Sequence, residues 1–402
     1  MTESVFEVMH MLAYFYLNTF LTLLIGNMFT YAMIIYSRAV TGSDAVTGLV
    51  YAGNLVPPLI LGMYAGTVID RFDRKRVVML AQTTFVYTGG AMVYLTAQHS
   101  FAVSDFLLIA VMLVNGIGLS FIIPGRMALL GDLFEQKYIP RESMKIHIMI
   151  MVGFGLAPFV VGYLRQHFEW YVVFAVIGGL YGAAMLLLFP LRTEPHRRTH
   201  QGETAWHSLV AGVRYVRREP VILALLAATF IGLFLVGPLQ VLLPEFSKTR
   251  LGLNESQRGS LMTILGVGLL IGGGLAQFLA HRMRRGLMII LGAVASGVSM
   301  LLIPWLAAPA PVALSLALSG IFGGLMGTLI PAAIQQATVD GARGRVMSIY
   351  NIVFQGSVAV AAIGLSRLSK FTSPAFAFEV GGYLIIAGAL SLLWLKPLRS
   401  LR

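Results

Sequence analysis

Gly66-Thr-Val-Ile-Asp70-Arg71-Phe-Asp73-Arg74-Lys75-Arg76 places six charged side chains within seven positions, between two long apolar runs. A knot of charge between two segments that can each cross a bilayer reads as a short aqueous loop joining two membrane helices, since roughly 20 apolar residues span the hydrocarbon core. Working outward from this loop, twelve such runs follow one another. They lie near 12–37, 46–69, 77–97, 102–128, 144–165 and 170–190, then near 221–244, 257–280, 286–306, 311–335, 345–367 and 375–395. The runs are continuous, not alternating, which predicts helices and not a barrel. The fold expected is an all-α integral membrane protein of twelve transmembrane helices.

Composition agrees. Of 402 residues, 57% are hydrophobic and 11% are charged, against about 25% charged in soluble domains. The net charge of +12 does not signal nucleic acid, because the basic residues sit in short loops and form no patch or stripe. The chain has no Cys, which excludes disulfides and thiolate metal sites or nucleophiles. It contains no phosphate-binding P-loop, no His-Glu-x-x-His pair and no Gly-x-Ser-x-Gly elbow, so no enzyme activity, cofactor, metal or direct nucleotide drive is expected. The 20 Met are dispersed through apolar runs, as packing residues are. No basic segment precedes the first run, whose first Lys or Arg is Arg38, so that run is expected to stay as a helix.

With both termini inside, 22 of the 29 Lys and Arg fall on the inner side and seven on the outer, the bias of a cytoplasmic face. Arg126 is counted with the inner loops. The polar stretch 191–220 divides the spans six and six, giving bundles at 1–190 and 221–402. Within the stretch, Trp206, Leu209, Val210, Val213 and Val216 share one helical face, with Arg214, Arg217 and Arg218 around them. This predicts an amphipathic helix on the inner surface, its basic face toward anionic lipid.

The loop from Gly66 to Arg76 resembles Gly-x-x-x-Asp-Arg-x-Gly-Arg-Arg/Lys, the signature between helices two and three of the major facilitator superfamily, with Asp73 in place of the second Gly. The resemblance implies two pseudo-symmetric six-helix halves with substrate bound between them. It also implies that Gly66, Asp70, Arg71 and Arg74 form an inner gate. Asp70 would face the start of span eleven, after Gly341-Ala-Arg343-Gly344-Arg345, and Arg74 would pair with Asp132. Span five, Gly153-Phe-Gly-Leu-Ala157-Pro158-Phe-Val-Val161-Gly162, resembles the superfamily's antiporter motif with Ala157 and Val161 substituted, so Gly153, Pro158 and Gly162 are candidates for flexing. Span four carries Met112 where many proton-linked relatives have Arg, so their proton mechanism does not transfer intact. Thr41-Gly42-Ser43, Gly212-Val-Arg-Tyr-Val-Arg217-Arg-Glu-Pro220 and Gly344-Arg-Val-Met-Ser-Ile-Tyr350 are similar to the branch of drug and macrolide efflux pumps and enterobactin exporters.

Amides within spans are candidates for a substrate cavity, since each must pair or face water. These are Asn18, Asn27, Asn54, Asn115, Gln240, Gln335, Asn351 and Gln355, with Phe15, Tyr16, Phe29 and Tyr31 as aromatic surface or as lipid-facing groups. Glu379 is the deepest acid and the candidate for proton coupling, while Asp44, Asp105 and Glu245 lie near the outer surface. The expected protein is a monomeric inner-membrane exporter of an amphipathic small molecule (drug, macrolide or siderophore), working by alternating access and proton antiport in contact with membrane lipid. An uptake permease, for instance for iron–siderophore, a lipid or lysolipid flippase, and a non-transporting membrane sensor remain open alternatives.

Overall fold

A computed structural model describes residues 2–98, 103–135, 137–191, 205–279, 284–339 and 342–399. The side chains of Asp70 and Trp206 fall outside that description, as does Gly341. Among the described residues every regular element is a helix. The first half comprises α1 (Thr2–Thr41), α2 (Asp44–Arg71), α3 (Arg74–Ala97), α4 (Asp105–Leu133), α5 (Ile139–His167) and α6 (Trp170–Leu186). After α7 (Ala205–Arg218) come α8 (Pro220–Gly232), α9 (Val236–Leu251), α10 (Glu255–Leu279), α11 (Arg285–Leu302), α12 (Pro309–Ala337), α13 (Arg343–Phe371), α14 (Pro374–Ser391) and the short α15 (Lys396–Arg399). Eleven segments are long and apolar enough to cross a bilayer, α8 and α9 counting as one, and α6 is a shorter apolar helix of 17 residues.

Short polar caps turn the chain between spans. Ser43, Ser104 and Ser373 accept from Val46, Leu107 and Phe376 backbone N–H groups at 3.4, 3.3 and 3.1 Å, satisfying donors that a helix start leaves unpaired. Asp73, the departure from the loop signature, caps in the same way, its carboxylate accepting from Arg76 N at 2.8 Å and starting α3. Span seven, expected as one helix, is broken at Leu233–Leu235. Pro238 offers no N–H to the Phe234 carbonyl and its ring crowds that oxygen, and a tighter turn with Val236 N donating to Leu233 O at 3.1 Å takes over.

The outer wall is apolar where lipid would lie. Leu80, Tyr87 and Tyr94 recur every seven residues along α3, all more than 60% exposed. Packing repeats between the halves: α2 on α4 corresponds to α10 on α12, α3 on α6 to α11 on α14, and α1 on α5 to α8–α9 on α13. Across the halves, α5 meets α10 and α2 meets α13. Below, the end bearing the 72–73 loop is called the basic end, and the end bearing Gly42 and Ser43 the far end. At the basic end, α7 packs on α8 and α13 and touches α2. Val216 is buried and Leu209 and Val213 are half-buried, but Val210, expected on the same face, is 40% exposed.

Candidate functional site

The contacts between the halves differ sharply from one end to the other. Along α5 and α10, Gly155 lies directly on Gly266, and a Cβ at Gly162 would sit 2.5 Å from the Glu255 carbonyl oxygen. Along α2 and α13, a Cβ at Gly48 would sit 2.8 Å from Ser366 and 2.9 Å from the Ala362 carbonyl oxygen. Only residues without side chains permit such backbone approach. Toward the basic end the same pairs loosen. A Cβ at Gly273 would find Met151 of α5 no nearer than 3.8 Å, one at Gly356 would find Leu59 at 3.9 Å, and one at Gly62, Gly66 or Gly344 would meet nothing within 4 Å.

Charge reinforces the far end. Arg38 Nε lies 2.6 Å from Asp44 Oδ1 and Arg38 Nη2 lies 3.4 Å from Glu245 Oε1. Ser369 Oγ donates to Asp44 Oδ2 at 2.5 Å. Arg38 and Asp44 belong to one half, Glu245 and Ser369 to the other, and Asp44 is only 5% exposed. Buried in this way, a carboxylate needs these partners. The sequence places Asp44 and Glu245 near the outer surface without joining them, because Glu245 and Ser369 lie far from Arg38 and Asp44 in the chain. At the same end Arg258, on α10, pairs with Glu255 and donates to the Pro244 carbonyl at 3.4 Å.

At the basic end, Arg74 Nη1 lies 2.5 Å from Asp132 Oδ1 and donates to Ala128 O at 2.9 Å. Both partners are on α4, in the same half as α3, so this pair fastens α3 to α4. Arg71 is exposed at the end of α2, and the contact expected of Asp70 lies outside the described side chains. Lys75 donates to the carbonyls of Phe189 and Leu191 at 3.0 and 2.7 Å, closing the end of span six. In α5, a Cβ at Gly153 would lie 3.2 Å from the backbone of Leu23 and Leu24 in α1, while Pro158 is inside the helix against Gly259 of α10.

The amides divide into two groups. Asn115 Nδ2 donates to Asn54 Oδ1 at 2.9 Å, Asn54 Nδ2 to Thr30 Oγ1 at 3.2 Å, and Thr88 Oγ1 to Asn115 Oδ1 at 3.3 Å, one ladder across four helices. Asn18 Nδ2 donates to Ala184 O at 2.5 Å, joining α1 to α6. Asn18, Asn54 and Asn115 are thus helix-to-helix ties buried to 5% exposure or less, not cavity-lining groups as expected, because hydrogen bonding between helices is what allows an amide in an apolar bundle. Gln240 is also buried. Asn27, half-buried, donates to Leu23 O of its own helix. Asn351 and Gln335 are exposed and Gln355 half-exposed on the basic halves of α13 and α12.

Three further expectations change. Phe15, Phe29 and Tyr31 are buried, Phe29 packing against Phe174 and Tyr181 and Tyr31 lying near Arg258 and Glu255 of α10. They face neither lipid nor a cavity. Glu379 lines a groove at the far end with Arg250, Trp305 and Pro374, on α14 and away from the contact between halves. Arg126, counted as a loop charge, is 1% exposed inside α4, where one nitrogen donates to Thr19 Oγ1 at 2.5 Å. Its Nε and Nη2 have no hydrogen-bond partner among the described residues. Glu142, missed by the sequence reading, accepts from the Tyr16 hydroxyl and pairs with Lys145 at 2.6 Å, tying α1 to α5.

Comparison with known proteins fits this geometry. The Major Facilitator Superfamily description matches residues 15–362. The enterobactin exporters EntS of Citrobacter koseri and Salmonella typhimurium are each 25% identical, over 352 and 351 residues, covering 85% of this chain and 81% of theirs. Among solved structures, a D-xylose–proton symporter superposes with a TM-score of 0.79 at 15% identity, covering 96% of this chain and 99% of that one. A mutant form of the nucleoside transporter NupG gives 0.80 at 13%, covering 96% and 100%. A bacterial homologue of the human lysosomal transporter Spinster, inward-facing and unoccupied, gives 0.72 at 14%, covering 98% and 96%. Eleven membrane-length segments and one shorter apolar helix among the described residues, halves that repeat each other's packing, and a family match running through both halves lead to one conclusion: the chain is a multi-pass membrane transporter and belongs to the Major Facilitator Superfamily.

Proposed function

We propose that this transporter exports an amphipathic small molecule of siderophore, macrolide or drug type across the inner membrane, by alternating access and in exchange for protons. The observation that carries the reading is the asymmetry of the contact between halves: glycine crossings and a shared Asp44 close the far end, while the glycine faces of α2 and α13 stand free at the basic end. That is one of the two states an alternating-access carrier must occupy. Taking the basic end as cytoplasmic, from its excess of Lys and Arg, this is the state that receives cargo from inside.

In the cycle, cargo enters the basic-end vestibule past Asn351, Gln355, Asn27 and Gln335. Rocking of the halves then parts Asp44 from Ser369 and Arg38 from Glu245. At the basic end, Asp70 meets the start of α13, with Arg74 and Asp132 holding α3 and α4 as the rigid base of that latch. Gly153, Pro158 and Gly162 let α5 bend and slide on α10. The resemblance to the EntS exporters at 25% identity supports export and favours a siderophore.

The test is the distribution of small metabolites inside and outside cells with and without the gene, under iron limitation. Retention of an iron-binding metabolite inside the deletion strain is the expected result. Unchanged secretion, together with an iron complex left in the medium that the parent strain consumes, would replace export by uptake.

A further inference from the structure

At the basic end, α7, α8 and α13 enclose a groove of about 420 Å³, within the range of about 300–1,000 Å³ typical of small-molecule sites. Its walls are Val213 and Val216 of α7, Leu223, Ala227 and Phe230 of α8 and Ile349 and Val353 of α13, and the exposed Arg217 of α7 lines it too. The direction of the groove follows from packing. α8 is flanked by α11, α12, α13 and α14 within its own half. The side left over carries Leu223, Ala227 and Phe230, at spacings of four and three, with Leu223 52% and Phe230 41% exposed. The continuation of span seven, α9, meets α1 of the other half. The uncovered stripe of α8 therefore faces the gap between the halves, which is open at this end.

An apolar stripe facing lipid would call for no explanation, but one facing an aqueous vestibule exposes hydrocarbon to water at a cost. The charged residue supplies the second half of the recognition. Arg217 is exposed and makes no ion pair or hydrogen bond with the described residues. Among the described residues it is the only charged side chain lining the groove. A lone guanidinium over an apolar wall favours an anion with a hydrophobic body and disfavours a cation.

The geometry points to this groove as the entry site for amphipathic anionic cargo: the apolar body lies on Leu223, Ala227, Phe230, Ile349 and Val353, and the acidic group pairs with Arg217 of the linker helix. This deepens the export reading and rests on it for the word cargo. It places one charge-reading residue outside both bundles, on the segment joining them. Because Ile349 and Val353 belong to α13, which meets α2 at the far end, a bound molecule presses on a helix that takes part in the switch between states.

The test uses the full chain in nanodiscs of zwitterionic lipid, with two fluorescent probes of the same shape, 1-pyrenebutyrate and the neutral 1-pyrenebutanol. Wild type is expected to bind the anion about five- to tenfold more tightly, the worth of one arginine at a wet site. Arg217→Gln should remove that preference and leave pyrenebutanol binding unchanged, while Arg217→Lys retains most of it. Ala227→Trp, which fills the groove, should weaken both probes about tenfold. Arg250→Gln, at the far end, should change neither. An anion preference that survives Arg217→Gln, or affinities unmoved by Ala227→Trp, would overturn the assignment. So would displacement of pyrenebutyrate from wild type by phosphatidylglycerol added to the nanodisc, which would make the groove a lipid site. The probes report binding without transport, so failure here leaves the export reading standing, and failure of the metabolite test leaves the groove standing as an anion site.

Discussion

The far and basic ends of the contact between halves are built from the same pairs of helices, yet they hold together by different means. At the far end, Gly162 lies against the Glu255 backbone and Gly48 approaches Ala362, with Asp44 bonded across the seam to Ser369. At the basic end, Arg74 pairs with Asp132 inside one half. A seam made of fixed packing plus a few ions can open as a unit. A half braced internally can meet its partner without being reshaped. The comparison teaches that rigid halves and a switchable seam are separate constructions, the first made from buried amide ladders and the second from glycine and exchangeable charge.

The largest effect expected from disturbing this comparison comes from Gly162→Leu. Its side chain would drive into the Glu255 carbonyl, and overpacking of this kind costs about 3 kcal/mol. Far-end closure should become roughly a hundredfold less favourable, read as lost transport with retained folding by size-exclusion chromatography. Asp44→Asn comes next. It removes the charge shared by Arg38 and Ser369, and at a 5%-exposed position this is worth about 2 kcal/mol. The far-end-open state should rise roughly thirtyfold in population, measured by labelling of a cysteine placed at Ser366.

Asp70→Asn sharpens the other side. If Asp70 meets α13 only in the opposite state, the variant should fold normally, keep far-end closure, and transport about tenfold more slowly, a latch worth roughly 1.4 kcal/mol. Wild-type rates would remove Asp70 from the gate. The smallest effect is expected of Arg126→Met. A buried guanidinium with one described hydrogen bond returns little for its desolvation, and an apolar residue of similar length is often neutral or stabilising. The melting temperature should be equal to or above that of wild type, and a fall of more than a few degrees would show that Arg126 has a partner it depends on.

Much of the fold is legible in the sequence because a bilayer reduces the problem to counting. Apolar runs of helical length fix the spans, and the loop from Asp70 to Arg76 fixes a turn. The break in span seven went unread although Pro238 announces it, since proline inside a membrane helix often bends it without interrupting it. Arg126 falls two residues inside the end that hydropathy gives span four, near 128, and reads as a boundary charge, but the helix runs on to Leu133 and carries it into the bundle. The site was far less legible. Asn54 and Asn115 read as cavity residues until the helices that carry them are seen to face each other. Arg38, Asp44, Glu245 and Ser369 are unexceptional singly and become a lock only when four helices converge. Asp44 and Ser369 are separated by 325 positions, and no local pattern encodes such a meeting.

The most direct test of the central claim, that the two ends open and close reciprocally, is a pair of distance measurements by spin labels. The chain has no native Cys, so label pairs can be introduced cleanly at Val40 and Lys370 for the far end and at Phe72 and Ser348 for the basic end. Comparing wild type with Asp44→Asn, the account predicts that the far-end distance lengthens and the basic-end distance shortens in the same molecules. Lengthening at the far end with no change at the basic end would contradict it.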